Sequence, residues 1–317
     1  MKKFNKVIAL VLAVLFVAAS FAACSSNSGK DDKGTTEAAK TQKVKVIDIA
    51  LSDEEYAFGV DKKQPELKEK ANAFIKELKK SGKLDDKTMR DILEDKDLQP
   101  VKPPEPPKSE PPKPEPTQAG VTSAAEDSAK DQLVVATNAE FEPFEYKKGD
   151  TFYGIDMEIA KALADSLGKE LVIKDMKFEA VVTSVQQQKC DIAMAGLTVN
   201  ETRAKQVDFT DSYYSASQKV VVKGDDTTFD ACKTKEDVEK ILNGLDSSVK
   251  IGGQNGTTGQ SYVQGSEDMG FAGLKAQFVG YDNASLAMQD LINGNLNYVI
   301  VDAAPAGAIT TAINNVA

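Results

Sequence analysis

FEAVVTSVQQQKCDIAMAGLTVNETRAKQVDFTDSYY (residues 178–214) holds a helix followed directly by a strand, and the pattern around it repeats that order. Residues 180–187 read as the helix and 191–195 as the strand. Upstream, 133–137 is a strand, 156–167 a helix with Ile159, Leu163 and Leu167 inward and Gly168 as its stop, and 171–173 a strand. Downstream the scheme continues: helix 235–245, strand 250–252, helix 259–264, strand 276–279, helix 285–293, strand 298–301 and helix 305–314. Strands alternating with helices predict open α/β sheets, whose ligands sit at strand ends and helix N-termini.

Nearer the N-terminus, residues 56–60 read as a strand. Leu67, Ala71, Phe74, Ile75 and Leu78 then recur at helical spacing over 66–80, with Gly82 as the stop. Asp85 can cap a short second helix carrying Met89, Ile92 and Leu93. Residues 100–116 hold nine of the chain's twelve prolines, which excludes helix and central strand and predicts extended polyproline II structure. Residues 99–130 are therefore expected to be a solvated linker.

Residues 1–24 read as an export signal: Lys2, Lys3 and Lys6 precede an apolar run from 7 to 19 that is short for a permanent span. Ser20-Phe21-Ala22-Ala23-Cys24 resembles a bacterial lipobox. Cys24 is thus expected to carry acyl chains that anchor the chain to the membrane, with residues 25–42 as a flexible tether.

The 317 residues carry a formal charge of −10, which argues against nucleic acid as a partner. With no His in the chain, the commonest zinc ligand and the usual neutral-pH base are missing, so neither a metal nor a cofactor is expected. Cys190 and Cys232 leave two readings open, a disulfide in an oxidising exterior or two free thiols.

From Leu133 onward five blocks, in order and spacing, resemble the bacterial extracellular solute-binding proteins of family 3, receptors for polar amino acids. They are LVVATNAEFEPFEY (133–146), YGIDMEIAKALADSLG (153–168), the opening stretch, NGTTGQSYV (255–263) and YVIVDAAPA (298–306). The resemblance implies a two-lobed α/β fold of the type II periplasmic binding-protein class with a hinge. It also implies a monomer that binds a free amino acid outside the cytoplasm and serves the permease subunits of an ABC transporter.

Such a ligand brings two opposite charges, and burying each requires a partner. Matched to the family, Arg203 is the fork for the ligand carboxylate, helped by backbone N–H groups of the turn Gly256-Thr257-Thr258. Asp302, after an apolar strand, takes the ammonium, with the Gly196 carbonyl and the Thr198 hydroxyl as further acceptors. Phe141 and Phe178 fall where aromatic rings flank the ligand. Asn138 stands where many relatives carry Asp, and Gln254 matches a second side-chain position; two neutral amides point to a neutral polar amino acid.

In the family this text is followed by a stretch that returns to complete the first lobe. Here KVKVIDIALSDEEYAFGVDKKQPELKEKANAFIKELKKSGKLDD (43–86) resembles that stretch, placed in front. The expectation is a circular permutant: residues 50–98 and 131–220 form the first lobe, 43–49 and 221–317 the second, and the crossovers lie near 51–55 and 217–222. The family's closing aromatic cluster is absent, Asp91-Ile92-Leu93-Glu94 standing in its place. Two other function classes share the fold: an enzyme of the cyclohexadienyl dehydratase type, and a ligand sensor module.

Overall fold

The computed structural model describes residues 42–82 and 120–316. The sequence-derived expectations for Cys24, for the helix after Asp85 and for the proline run fall outside those residues.

Two five-stranded sheets organise the chain. The first has the order β10 (Asp208–Phe209), β3 (Gly59–Val60), β9 (Ile192–Ala193), β4 (Gln132–Thr137), β8 (Glu170–Asp175). Its β4 runs parallel to both β8 and β9, while β3 is antiparallel to β9 and β10. The second has the order β1 (Val44–Val46), β12 (Gln218–Lys223), β15 (Tyr298–Asp302), β13 (Lys250–Gln254), β14 (Gln277–Tyr281). Here β13 is parallel to β14 and β15, and β12 is antiparallel to β15 and β1. A three-stranded antiparallel flap, β5 (Glu140–Phe141), β6 (Glu145–Lys148) and β7 (Thr151–Tyr153), follows β4.

Each sheet is covered on both faces, as the parallel strands at its centre require. On β15, Tyr298 and Ile300 join one core cluster and Val299 and Val301 the other, which is strand alternation read directly. On the first sheet, α1 (Pro65–Lys80) buries Leu67, Ala71 and Ile75, a four-residue repeat that keeps one helical stripe inward. Residues after β7 form α2 (Ile155–Ser166), and α3 (Phe178–Gln186) packs on the opposite side of the same sheet.

The two sheets are joined by a pair of crossings lying side by side. The chain leaves β1, passes through β2 (Glu54–Tyr56) and enters β3; it leaves β10, passes through β11 (Tyr214–Ala216) and enters β12. Strands β2 and β11 pair antiparallel, Tyr214 opposite Tyr56 and Ala216 opposite Glu54.

Three expectations need correction. The apolar run 56–60 is not one strand: it breaks at Ala57-Phe58, and its halves pair with different partners, β11 and then β9. The second crossover is not at 217–222, because Gln218–Lys223 is already a strand of the second sheet, so 218–220 leave the first lobe. Residues 121–126 are not free spacer. Val121 is buried and exchanges backbone hydrogen bonds with Phe152, and Ser123 bonds Ile173. One apolar and one hydroxyl residue are enough to lay this segment on the lobe. Of the two readings left open for Cys190 and Cys232, the structure has free thiols at both positions.

Candidate functional site

The site is assembled where strand ends from both sheets meet beside the crossings. On the first side, the chain turns out of β9 through Gly196, whose φ of 53° lies in the left-handed region that favours glycine. A Cβ there would stand 2.9 Å from the Phe141 ring, so the position also needs the missing side chain. Asn200 then accepts a hydrogen bond from the Arg203 backbone N–H at 2.8 Å, capping the single turn α4 (Glu201–Ala204) and setting where Arg203 emerges.

The Arg203 guanidinium is buried. Its Nη1 donates to the Thr198 carbonyl at 2.7 Å, its Nη2 to the Gly256 carbonyl at 3.0 Å, and its Cζ lies 5.3 Å from the Phe178 ring centre. Gly256 belongs to the other side, so this side chain spans the cleft. Burial lowers the guanidinium's pKa, while the charges of Asp302 and Glu54 pull it back up.

On the second side, β13 ends at Gln254 and the turn Gly256-Thr257 opens α5 (Lys235–Asn243)'s successor, α6 (Thr258–Gln264). Thr257 Oγ1 donates to the Gln254 carbonyl at 2.7 Å, and Thr258 Oγ1 donates to Thr198 Oγ1 at 3.1 Å across the cleft. Asp302 closes β15 at the N-cap position of α7 (Ala303–Asn315), yet its side chain makes no capping bond. It accepts instead from the Tyr56 hydroxyl at 2.5 Å. Burial, and then the neighbouring Glu54 charge, push its carboxyl up to about 7.

Phe141, Phe178, Gly196, Thr198, Arg203, Gln254, Thr257, Thr258 and Asp302 all line one cavity of about 10 Å³. That is room for about one water molecule. Asn138 does not line it; it stands behind Gln254, whose Nε2 donates to Asn138 Oδ1 at 2.8 Å. The space is small because polar groups of the two sides bond each other directly. An exposed pair, Lys177 and Asp282 at 2.9 Å, also bridges the rim. A larger groove of about 670 Å³ lies on the crossing side, bounded by residues 52–55 and by Asp268 to Leu274, and touches the cavity at Thr198.

Sequence reasoning missed two side chains. Glu54 and Tyr56 both come from β2 and are buried, two residues apart and hence on one strand face. Glu54 accepts from Thr198 Oγ1 at 2.7 Å and from Gln218 Nε2 at 3.1 Å, tying the crossing to the cleft. The alternation in Glu-Glu-Tyr was visible; its partners, far away in sequence, were not.

The profile of the bacterial extracellular solute-binding proteins, family 3, matches residues 133–300. The chain is 42% identical over 99 residues to the arginine-binding extracellular protein ArtP of Bacillus subtilis (strain 168), covering 31% of this chain and 39% of that one. It is 30% identical over 178 residues to the ABC transporter arginine-binding protein 1 of Escherichia coli (strain K12), covering 56% and 65%. The chain thus spans less than two thirds of the length of these curated relatives. Among solved structures, an ancestral arginine-binding protein bound to arginine is similar at 36% identity and a TM-score of 0.48, over 59% of this chain and 76% of that one.

Proposed function

The chain belongs to the bacterial extracellular solute-binding proteins of family 3, and on that premise we propose that it captures a free amino acid in the cleft and presents it to the permease subunits of an ABC importer. The observation that carries this reading is the pairing of a buried guanidinium from one side with a buried carboxylate from the other on a single cavity. The ligand carboxylate replaces the carbonyls now held by Arg203, and the ligand ammonium shares Asp302 with Tyr56. Because the cavity is far smaller than an amino acid, entry requires the two sides to part about β2 and β11. The ligand then favours the closed form by the contacts it makes only there.

Gln254 offers a neutral amide group at the far end, held from behind by Asn138, which suits a neutral polar side chain. A second reading, a basic amino acid, is favoured by the names of the relatives just given and by two carboxylates, Asp302 and Glu54, facing one arginine. A thermal-shift screen of the twenty amino acids decides between them, since a true ligand stabilises the native state by mass action. Saturable binding without product supports a receptor; turnover of a bound compound supports the dehydratase-type enzyme, and no shift with any amino acid removes the receptor reading.

The proposal extends to the two ends of the lobed unit. Cys24 is the lipid-bearing residue, which fatty-acid labelling of wild type and Cys24→Ala tests; equal labelling would refute it. Residues 43–86 are the family's closing segment carried at the front, a reading supported by the pairing of β1 into the second sheet and of β3 into the first.

A further inference from the structure

Behind Gly196, away from the cleft, lies a cluster of acids that the ligand contacts do not use. Glu145 opens β6 and Asp156 sits in the first turn of α2; both are fully buried. Asp156 Oδ2 accepts the Gly196 backbone N–H at 2.9 Å. Its other oxygen Oδ1, both oxygens of Glu145, and the Tyr213 hydroxyl have no hydrogen-bond partner of good geometry. Four orphaned polar atoms at one spot in a core are costly, and a native cluster rarely tolerates them. A single proton removes most of the problem: a neutral Glu145 donates to Asp156 Oδ1, and Tyr213 O–H supplies a second donor.

We infer that Glu145 carries a proton in the working protein and, by donating it to Asp156, acts as a positioning residue that fixes the Gly196 peptide at the ammonium end of the ligand site. This rests on the amino-acid reading above, in which the Gly196 carbonyl faces the ligand ammonium. The groups that act most on Glu145, Asp156 and Tyr213 are Asp302, Tyr56 and Tyr214, an acid and two phenols with no lysine or arginine among them. Burial pushes the Glu145 carboxyl well above the usual range, with the Asp156 charge adding to it, and burial raises Asp156 to about 7. Asp156 keeps the charged role because the Gly196 N–H and the N-terminus of α2 favour its anion. With both folded values raised, the cluster's contribution is fully present below the ordinary carboxylate range and is lost as pH rises through and above about 7.

The test compares Glu145→Gln, which keeps a donor and cannot ionise, with Glu145→Ala, which removes the donor, and with wild type. Amino-acid affinity is measured by calorimetry from pH 6.5 to 9.5, and thermal midpoints are measured without ligand over the same range. Glu145→Gln should bind within about threefold of wild type at neutral pH, and Glu145→Ala about tenfold more weakly. Toward high pH, wild type should lose affinity and thermal stability relative to Glu145→Gln, a ratio that cancels titration of the ligand itself. A wild-type to Glu145→Gln ratio constant with pH overturns the inference, as does a Gln variant as impaired as the Ala variant. If Glu145→Ala does not fold, the ratio of wild type to Gln decides alone. If no amino acid binds wild type, the function reading has failed, and the ligand-free midpoints still judge the proton.

Discussion

Both five-stranded sheets take one strand from the segment before residue 61, but they use it differently. In the first sheet β3 is interior, with β9 on one side and β10 on the other, and the chain after it supplies α1 to cover the face. In the second sheet β1 is the outermost strand, joined to β12 and held at its start by the Asn314 side chain, which accepts from the Lys43 N–H and donates to the Val44 carbonyl. The same stretch is therefore a keystone in one lobe and a border in the other. An interior strand has partners on both sides, so more of its sheet depends on it than on an edge strand.

The harshest way to break this comparison is to delete residues 42–82. Hydrogen exchange should then show β4 and β9 losing protection while β13 and β15 retain it; equal protection in both sheets would show that the segment matters to neither differently. Point substitutions sharpen the contrast. Ile75→Ala, in the face covered by α1, should cost about 2–5 kcal/mol, and Val44→Ala in the border strand about 0.5–3 kcal/mol, read from denaturant midpoints. The reverse order would contradict the assignment of keystone and border.

A second contrast is electrostatic, between a lobe that supplies a permanent cation and one that supplies a titrating acid. Asp302 has a folded pKa of about 7, raised above the ordinary carboxylate value. Its stability contribution is thus fully present below that ordinary value and lost as pH rises through 7. Ligand ammonium needs the carboxylate, so affinity should fall on acidification below about 7, by at most about tenfold per pH unit, and a flat profile from pH 5 to 7 would exclude Asp302 as the ammonium partner. The smallest effect is expected at the rim, where Lys177 and Asp282 are exposed. Lys177→Ala should change affinity by about threefold or less, and a larger loss would make the rim pair part of the closure.

Much of this arrangement was legible because long apolar periods survive in sequence. The stripe of Leu67, Ala71 and Ile75, and the strand at 298–301 ending in an acid, could be read without coordinates. What escaped reading depended on tertiary pairing. The run Tyr-Ala-Phe-Gly-Val looks like one strand by composition, and only the passage between two sheets divides it. Residues 121–126 look like spacer because their docking rests on one buried apolar side chain, Val121, and on hydrogen bonds of Ser123 and of the backbone. Tyr56 could not be assigned to the site, since its partner Asp302 lies 246 positions away. Asn138 was placed at the ligand by analogy, and it stands one layer back, bonded to Gln254.

Calorimetric titration of Arg203→Ala and Asp302→Ala with the amino acid that stabilises wild type is the most direct check. Each variant should stay folded and lose about 3–5 kcal/mol of binding free energy, because each leaves one ligand charge buried without its partner. Wild-type affinity in either folded variant would mean that the opposed charges of this cleft do not hold an amino acid.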